Sequence, residues 1–252
     1  VANPPPLPFE VQMLQFRQFI SEKTSLAYHD KLNEKIWSND TLRPDVRKTL
    51  LTIAEKWREF ASIPKSAVKE VQLTGGNANY NYTDLSDLDV HLITDYSKLG
   101  INKEFASDYL FGKKSLWADA HNITVKGYPV ELYAQPLDEL PHPGQGVYSL
   151  SKDKWVQKPD FLSLDFSKDN HLERKTDYFI KRIDSLVDSH SDDVAVLKKI
   201  KDKIRSMRNS GIQKGGEFAF ENLVFKELRN KGYIDKLSNY IKKIEDKNLS
   251  LD

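Results

Sequence analysis

Val71-Gln72-Leu73-Thr74-Gly75-Gly76, then Asn77 to Ser86, then Asp87-Leu88-Asp89-Val90-His91-Leu92-Ile93, is the stretch on which the fold turns. The first six residues read as a short apolar strand running into a glycine pair. The last seven alternate, and in a strand residues two apart share a face. Asp87, Asp89 and His91 therefore lie on one side, while Val90 and Leu92 point into a core. A later apolar run, Tyr128-Pro129-Val130-Glu131-Leu132-Tyr133, carries one more carboxylate. If that run pairs beside the first, Glu131 completes a triangle with Asp87 and Asp89. Three carboxylates on one sheet face repel each other, and divalent cations relieve that repulsion.

The surrounding chain reads as an α/β alternation. Pro44-Asp45 opens a helix whose apolar stripe is Val46, Leu50, Ile53, Ala54, Trp57 and Phe60, ending at Ile63-Pro64. Strand 68–74, a short helix near 77–83 and strand 87–94 follow. A helix from about 103 to 119 comes next, and then a hairpin turning at Lys126-Gly127-Tyr128-Pro129. Val147 to Leu150 and Trp155 to Gln157 read as a second small hairpin. Four apolar stripes at helical spacing then run from Leu172 to Ile244. The second ends near Ser210-Gly211, with Gly211 to Gly216 as a turn between helices. At the front, Asn3-Pro4-Pro5-Pro6-Leu7-Pro8 reads as an extended polyproline lead. Phe9, Met13, Phe16, Phe19 and Ile20 follow at helical spacing. Leu26, Leu32 and Ile36 suggest a further short helical or irregular piece. The expected domains are a lead-in over 1–42, a catalytic core over 43–160 and a helical domain over 161–252.

Composition bounds the classes. The 252 residues are 39% hydrophobic and 30% charged, with a net charge of +1 and no cysteine. That excludes disulfides and thiolate metal sites and gives no global mandate for nucleic acid, so any polyanion site must be local. No apolar run is long enough to span a membrane. The N-terminus lacks a signal-peptide layout, and Val1 reads as a trimmed or processed end. The expected compartment is the cytoplasm. The six histidines show no paired zinc spacing. No Gly-x-Ser-x-Gly elbow or Walker-type loop occurs, and glycine and a terminal acid are missing at the offsets of a calcium loop.

The ordered set Thr74-Gly75-Gly76, Asp87-Leu88-Asp89 and Glu131 resembles the DNA polymerase β-like nucleotidyltransferase superfamily. The resemblance runs from Val71 to Tyr133, roughly a quarter of the chain. It implies an α+β fold, a mixed sheet flanked by helices, followed here by a mostly helical C-terminal domain. It also implies two Mg²⁺ ions held by Asp87, Asp89 and Glu131, and a nucleoside triphosphate, ATP included, as donor. Asp87 and Asp89 would hold the nucleotide-side ion and bridge to the second. Glu131 would ligate the second ion or accept the acceptor's proton. Gly76 stands where many members carry a phosphate-contacting serine. Contacts to phosphate would then come from backbone N–H groups at Gly75 and Gly76, or from Asn77, Asn79 or Ser86. His91 would tune a carboxylate or touch a phosphate, or stand as a hydrogen-bonded strand histidine.

More weakly, Gly146 to Leu150 and Gly216 to Leu223 resemble tracts in predicted nucleotidyltransferases of bacterial and phage origin. The implied reaction moves a nucleoside monophosphate to a hydroxyl, with an RNA end or a nucleotide as acceptor. Lys198, Lys199, Lys201, Lys203, Arg205 and Arg208 could track RNA, or form a solvated helix face. Tyr80, Tyr82 or Tyr148 could stack a base or simply pack. A different reading is a nucleotide- or RNA-binding module that kept this fold and lost turnover.

Overall fold

The computed structural model describes residues 25–141, 144–161 and 170–251. The proline lead, the Phe9 to Ile20 stripe and His142 lie outside the described residues. The described residues divide into two compact units, one over 27–161 and a second formed from 25–26 with 170–251.

The first unit is built on a six-stranded mixed sheet. In chain order its elements are the two-residue strands β1 (Trp37–Ser38) and β2 (Thr41–Leu42), helix α1 (Pro44–Phe60), β3 (Val68–Thr74), a 3₁₀ turn (Gly76–Ala78), β4 (Leu88–Thr94), α2 (Lys103–Ala120), β5 (Thr124–Val125), β6 (Tyr128–Pro136), β7 (Val147–Ser149) and β8 (Lys154–Gln157). The sheet order is β5-β6-β4-β3-β7-β8, with β1 and β2 forming a separate hairpin. Among the described residues only β4 and β6 pair in parallel, joined by a crossover through α2; β3 and β4, β3 and β7, β5 and β6, and β7 and β8 are antiparallel. The class is α+β.

Alternation explains the layering. Along β4 the burial pattern is strictly two-fold, with Leu88, Val90, Leu92 and Thr94 buried and Asp89, His91 and Ile93 partly exposed. Leu73, Leu132, Ala134, Tyr148 and Leu150 join the buried set and pack with Val46, Leu50, Ile53, Ala54 and Trp57 of α1. The opposite face is polar. The register places Gln72 across from His91 and Thr74 across from Asp89.

Several boundaries differ from the sequence reading. The segment between the glycine pair and Asp87 forms one 3₁₀ turn rather than a helix over 77–83: the side-chain amides of Asn77 and Asn79 bond to Asn33, the Asp87 carbonyl and the Gly75 carbonyl, and Thr83 and Ser86 close a local turn of their own. The β5–β6 turn is just Lys126-Gly127, both at positive φ (54° and 88°), so Tyr128 and Pro129 already belong to the strand. That two-residue geometry matches the twist of the flanking strands. Residues 27–42, grouped from sequence with a lead-in, sit in the sheet unit: Leu32, Ile36, Trp37 and Leu42 are core residues.

The second unit holds α3 (Asn170–Asp188), α4 (Val194–Gly215), α5 (Phe220–Asn230) and α6 (Tyr233–Leu249) around Phe179, Ile183, Leu197, Ile200, Val224, Leu228 and Leu237. Helix α4 does not stop near Gly211. A Cβ at Gly211 would lie 2.8 Å from that of Glu221, so this glycine lets α4 and α5 approach closely, and the break comes at Gly216 with φ 68°. Buried Glu227 accepts from the Ser25 backbone N–H at 2.9 Å and hydroxyl at 2.7 Å, and pairs with Lys231 at 3.3 Å.

Candidate metal centre

Parallel pairing of β4 with β6 decides the site. Asp89 and Glu131 are register partners, so their side chains leave the same face of adjacent strands. Asp87 precedes β4 by one residue and shares that face. The three carboxylates each offer an oxygen, and these atoms all lie within 4.8 Å of one another. Asp87 and Asp89 are partly exposed, and the Glu131 side chain is 43% exposed. Three hard oxygen donors at this spacing, open to solvent, fit a divalent cation such as Mg²⁺.

The glycine bend meets the carboxylates directly. Gly75 has φ 77°, and a Cβ there would fall 1.7 Å from Asp89 Oδ2. Only glycine lets the backbone pass so close to that carboxylate. The bend is held from behind. Asn79, buried, donates to the Gly75 carbonyl at 2.6 Å and accepts from the Gly146 N–H at 2.8 Å. Thr74 donates to the Gly146 carbonyl at 3.1 Å and accepts from Gln145 Nε2 at 2.7 Å. A Cβ at Gly146 would sit 1.9 Å from the Ala78 carbonyl oxygen, so this second glycine is equally sterically required.

The remaining expected contacts divide. Asn77 is fully buried, and both ends of its amide are engaged: Nδ2 donates to the Asp87 carbonyl at 2.9 Å, and Oδ1 accepts from Asn33 Nδ2 at 2.8 Å. Its side chain holds the Asp87 backbone from within the core, with Asn33 on its other end. Ser86 is buried, accepts from the Thr83 N–H at 2.9 Å and lies 3.1 Å from where a Gly76 Cβ would be. His91 Nδ1 is 2.7 Å from Gln135 Oε1, the Gln135 amide donates to the Glu139 carbonyl at 2.7 Å, and burial holds the imidazole below its ordinary pKa. It is an oriented, neutral strand histidine on the site face. The candidate base-stacking rings are committed to packing: Tyr82 stacks on His29 at 3.9 Å, Tyr80 meets Phe161 edge-on and Tyr148 is buried beside Trp37. Asp84 is exposed and 3.7 Å from Lys35.

Lys114, on α2, was not legible as a site residue, because nothing in a helix's spacing says which strand carboxylate it will meet. Its ammonium pairs with Glu131. Burial pushes the Glu131 carboxyl up, but the hydrogen bond and charge of Lys114 outweigh that and leave it below the ordinary carboxylate range.

An α+β unit whose mixed sheet gathers three carboxylates beside a glycine bend defines a class of acidic, hard-oxygen centre. No family model and no curated protein matches the chain. Among solved structures, a STING-associated CdnE c-di-GMP synthase from Capnocytophaga granulosa aligns over 82% of this chain and 83% of its own, at 14% identity and a TM-score of 0.22. At that similarity it carries no argument about this chain. No helix among the described residues is long and apolar enough to cross a membrane.

Proposed function

We propose that the protein is a Mg²⁺-dependent nucleotidyltransferase, moving a nucleoside monophosphate from a nucleoside triphosphate to a hydroxyl acceptor. The observation that carries this is the convergence of Asp87, Asp89 and Glu131 within 4.8 Å beside a bend where only Gly75 fits. In the reaction the acceptor oxygen bonds to the α-phosphorus. The bond from that phosphorus to the bridging oxygen breaks, and pyrophosphate leaves with the electron pair. Mg²⁺, as one ion or two, would supply charge to the phosphoryl oxygens and lower the acceptor's pKa.

The chain's own residues divide that work. Asp87 and Asp89 would hold the triphosphate-side ion, and the Gly75-Gly76 backbone gives the phosphates room to approach. Glu131, whose carboxyl Lys114 holds below its ordinary range, would ligate the second ion or take the acceptor's proton. RNA or a nucleotide is the favoured acceptor class. Lys199, Lys201, Lys203 and Arg205 are exposed along α4 and could follow an RNA backbone.

The test is incubation with each labelled nucleoside triphosphate, Mg²⁺ and a pool of nucleosides and short RNAs, reading pyrophosphate and labelled product. Asp89→Asn is expected to reduce product more than about 100-fold with an unchanged melting profile in Mg²⁺-free buffer or a slightly higher one. Equal activity in the variant removes the assigned site. One observation favours a second reading, a nucleotide- or RNA-binding module without turnover: the Lys114 ammonium already neutralises Glu131. Triphosphate or RNA binding with no pyrophosphate from any donor would select it.

A further inference from the structure

A cleft of about 330 Å³ opens beside the carboxylates, between the C-terminal half of α2 and the β5–β6 hairpin. That volume falls at the small end of the about 300–1,000 Å³ usual for ligand sites. Asp87, Glu131 and Lys114 line it together with Trp117, Asn122 and Pro129. It is therefore continuous with the candidate metal centre, and whatever fills it ends against two of the three carboxylates.

We infer that this cleft is the acceptor subsite and that it takes a single nucleoside, the base between the Trp117 and Pro129 walls and a sugar hydroxyl at Glu131. The inference rests on the nucleotidyl-transfer reading for the word acceptor, but the nucleoside site stands on the cleft itself. Four features select the ligand class. The lining is mainly apolar, with Ile123, Val130 and Leu132 beside Trp117 among its residues, which suits a flat ring system. The exposed His121 ring packs on the half-buried Trp117 ring, centroids 4.1 Å apart, so the wall a base would meet is a pair of aromatic rings with its outer member open to solvent. Asn122 is exposed at the rim and makes no hydrogen bond within the described residues. Its amide offers a donor and an acceptor side by side, the pairing that reads a base edge. At the far end, two carboxylates face one ammonium, so a neutral hydroxyl is accepted there and a phosphate is repelled. The size admits one nucleoside, free or at the end of an RNA.

The first measurement is saturation-transfer NMR on the full-length protein without metal or triphosphate, using adenosine, guanosine, cytidine and uridine in turn. Base protons are expected to receive stronger transfer than ribose protons. Ala118→Trp, at an exposed position lining the cleft, adds bulk there and removes none of the carboxylates. It should abolish the signal while the melting curve and circular dichroism stay as in wild type. Asn122→Ala should change the ranking of the four nucleosides. Absence of signal in wild type, or signal undiminished in Ala118→Trp, overturns the inference.

The second measurement is transfer to each free nucleoside and to short RNAs ending in the same base, which separates the two sources of the ligand. Ala118→Trp should raise the acceptor KM at least 10-fold and leave the triphosphate KM within two-fold. An unchanged acceptor KM overturns the acceptor assignment. Nucleoside binding that is lost in Ala118→Trp, with no transfer by wild type from any triphosphate, would sink the proposed reaction and keep the nucleoside site.

Discussion

Gly75 and Asn77 show two ways in which a residue can serve a site without being a ligand. Gly75 contributes an absence: with φ 77° and Asp89 Oδ2 1.7 Å from the place of its missing Cβ, no side chain can be added without moving the carboxylate. Gly75→Ala is therefore expected to weaken Mn²⁺ binding by roughly 10- to 100-fold, in the manner of lost outer-shell support. It should also lower stability by more than the ordinary gain from replacing a glycine. Titration calorimetry with Mn²⁺ checks the first effect and urea unfolding the second. Asn77 contributes a tether, linking Asn33 in the core to the Asp87 carbonyl. Asn77→Ala leaves buried partners unpaired, at a cost of about 1–3 kcal/mol. It should release Asp87, so that metal affinity falls together with the urea midpoint. A variant that lost stability and kept full Mn²⁺ affinity would show the tether to be structural only.

At the scale of elements, the sheet's polar face is a continuous strip, and its far end is as informative as the metal end. Glu70 of β3 accepts from Ser149 of β7 at 2.5 Å and from Gln72 at 3.0 Å, with Lys152 at 3.1 Å; its side chain is 13% exposed. Burial pushes this carboxyl up, but Ser149, Lys152 and Gln72 outweigh it and hold the pKa below its ordinary 4.5. A folded-state pKa below the unfolded one means that the unfolded chain takes up the proton first as pH falls. The stabilisation is therefore complete above about 4.5 and is lost as pH drops through the folded value. Glu70→Gln should flatten the acid limb of the melting temperature against pH between 5 and 3, as roughly that window is set by linkage. A limb of unchanged slope would mean that the β3–β7 bridge contributes nothing. The parallel β4–β6 pairing works at the same scale, bringing Asp89 and Glu131 opposite each other through the α2 crossover.

For the whole molecule, the site is where a bound cation would feed into stability. Three carboxylates within 4.8 Å, with Lys114 the ammonium paired to Glu131, repel in the folded chain and separate on unfolding. Mg²⁺ or Mn²⁺ at a hundred times its Kd should stabilise the fold by about 2.7 kcal/mol. In a chain of this size each kcal/mol raises the melting temperature by roughly 2–4 °C. Asp89→Asn should melt slightly higher than wild type in chelator and respond little to added metal. Wild type and variant responding equally to Mg²⁺ in differential scanning fluorimetry would place the ion elsewhere.

Period and punctuation in the sequence were enough for much of this architecture. The alternation Asp87-Leu88-Asp89-Val90-His91 assigns faces without any neighbour, because a strand's side chains must alternate, and Pro44, Gly75 and Gly127 mark the helix start and turns through backbone sterics alone. The candidate ligands were legible for that reason. What the sequence could not supply was pairing: that β4 lies beside β6 in parallel, that Gly211 continues a helix instead of ending it, that Asn77 faces the core and that Lys114 reaches Glu131. Those facts depend on which surfaces bury each other across long separations of chain. Local preference, acting over a few residues, has no access to them; only the packed tertiary structure decides.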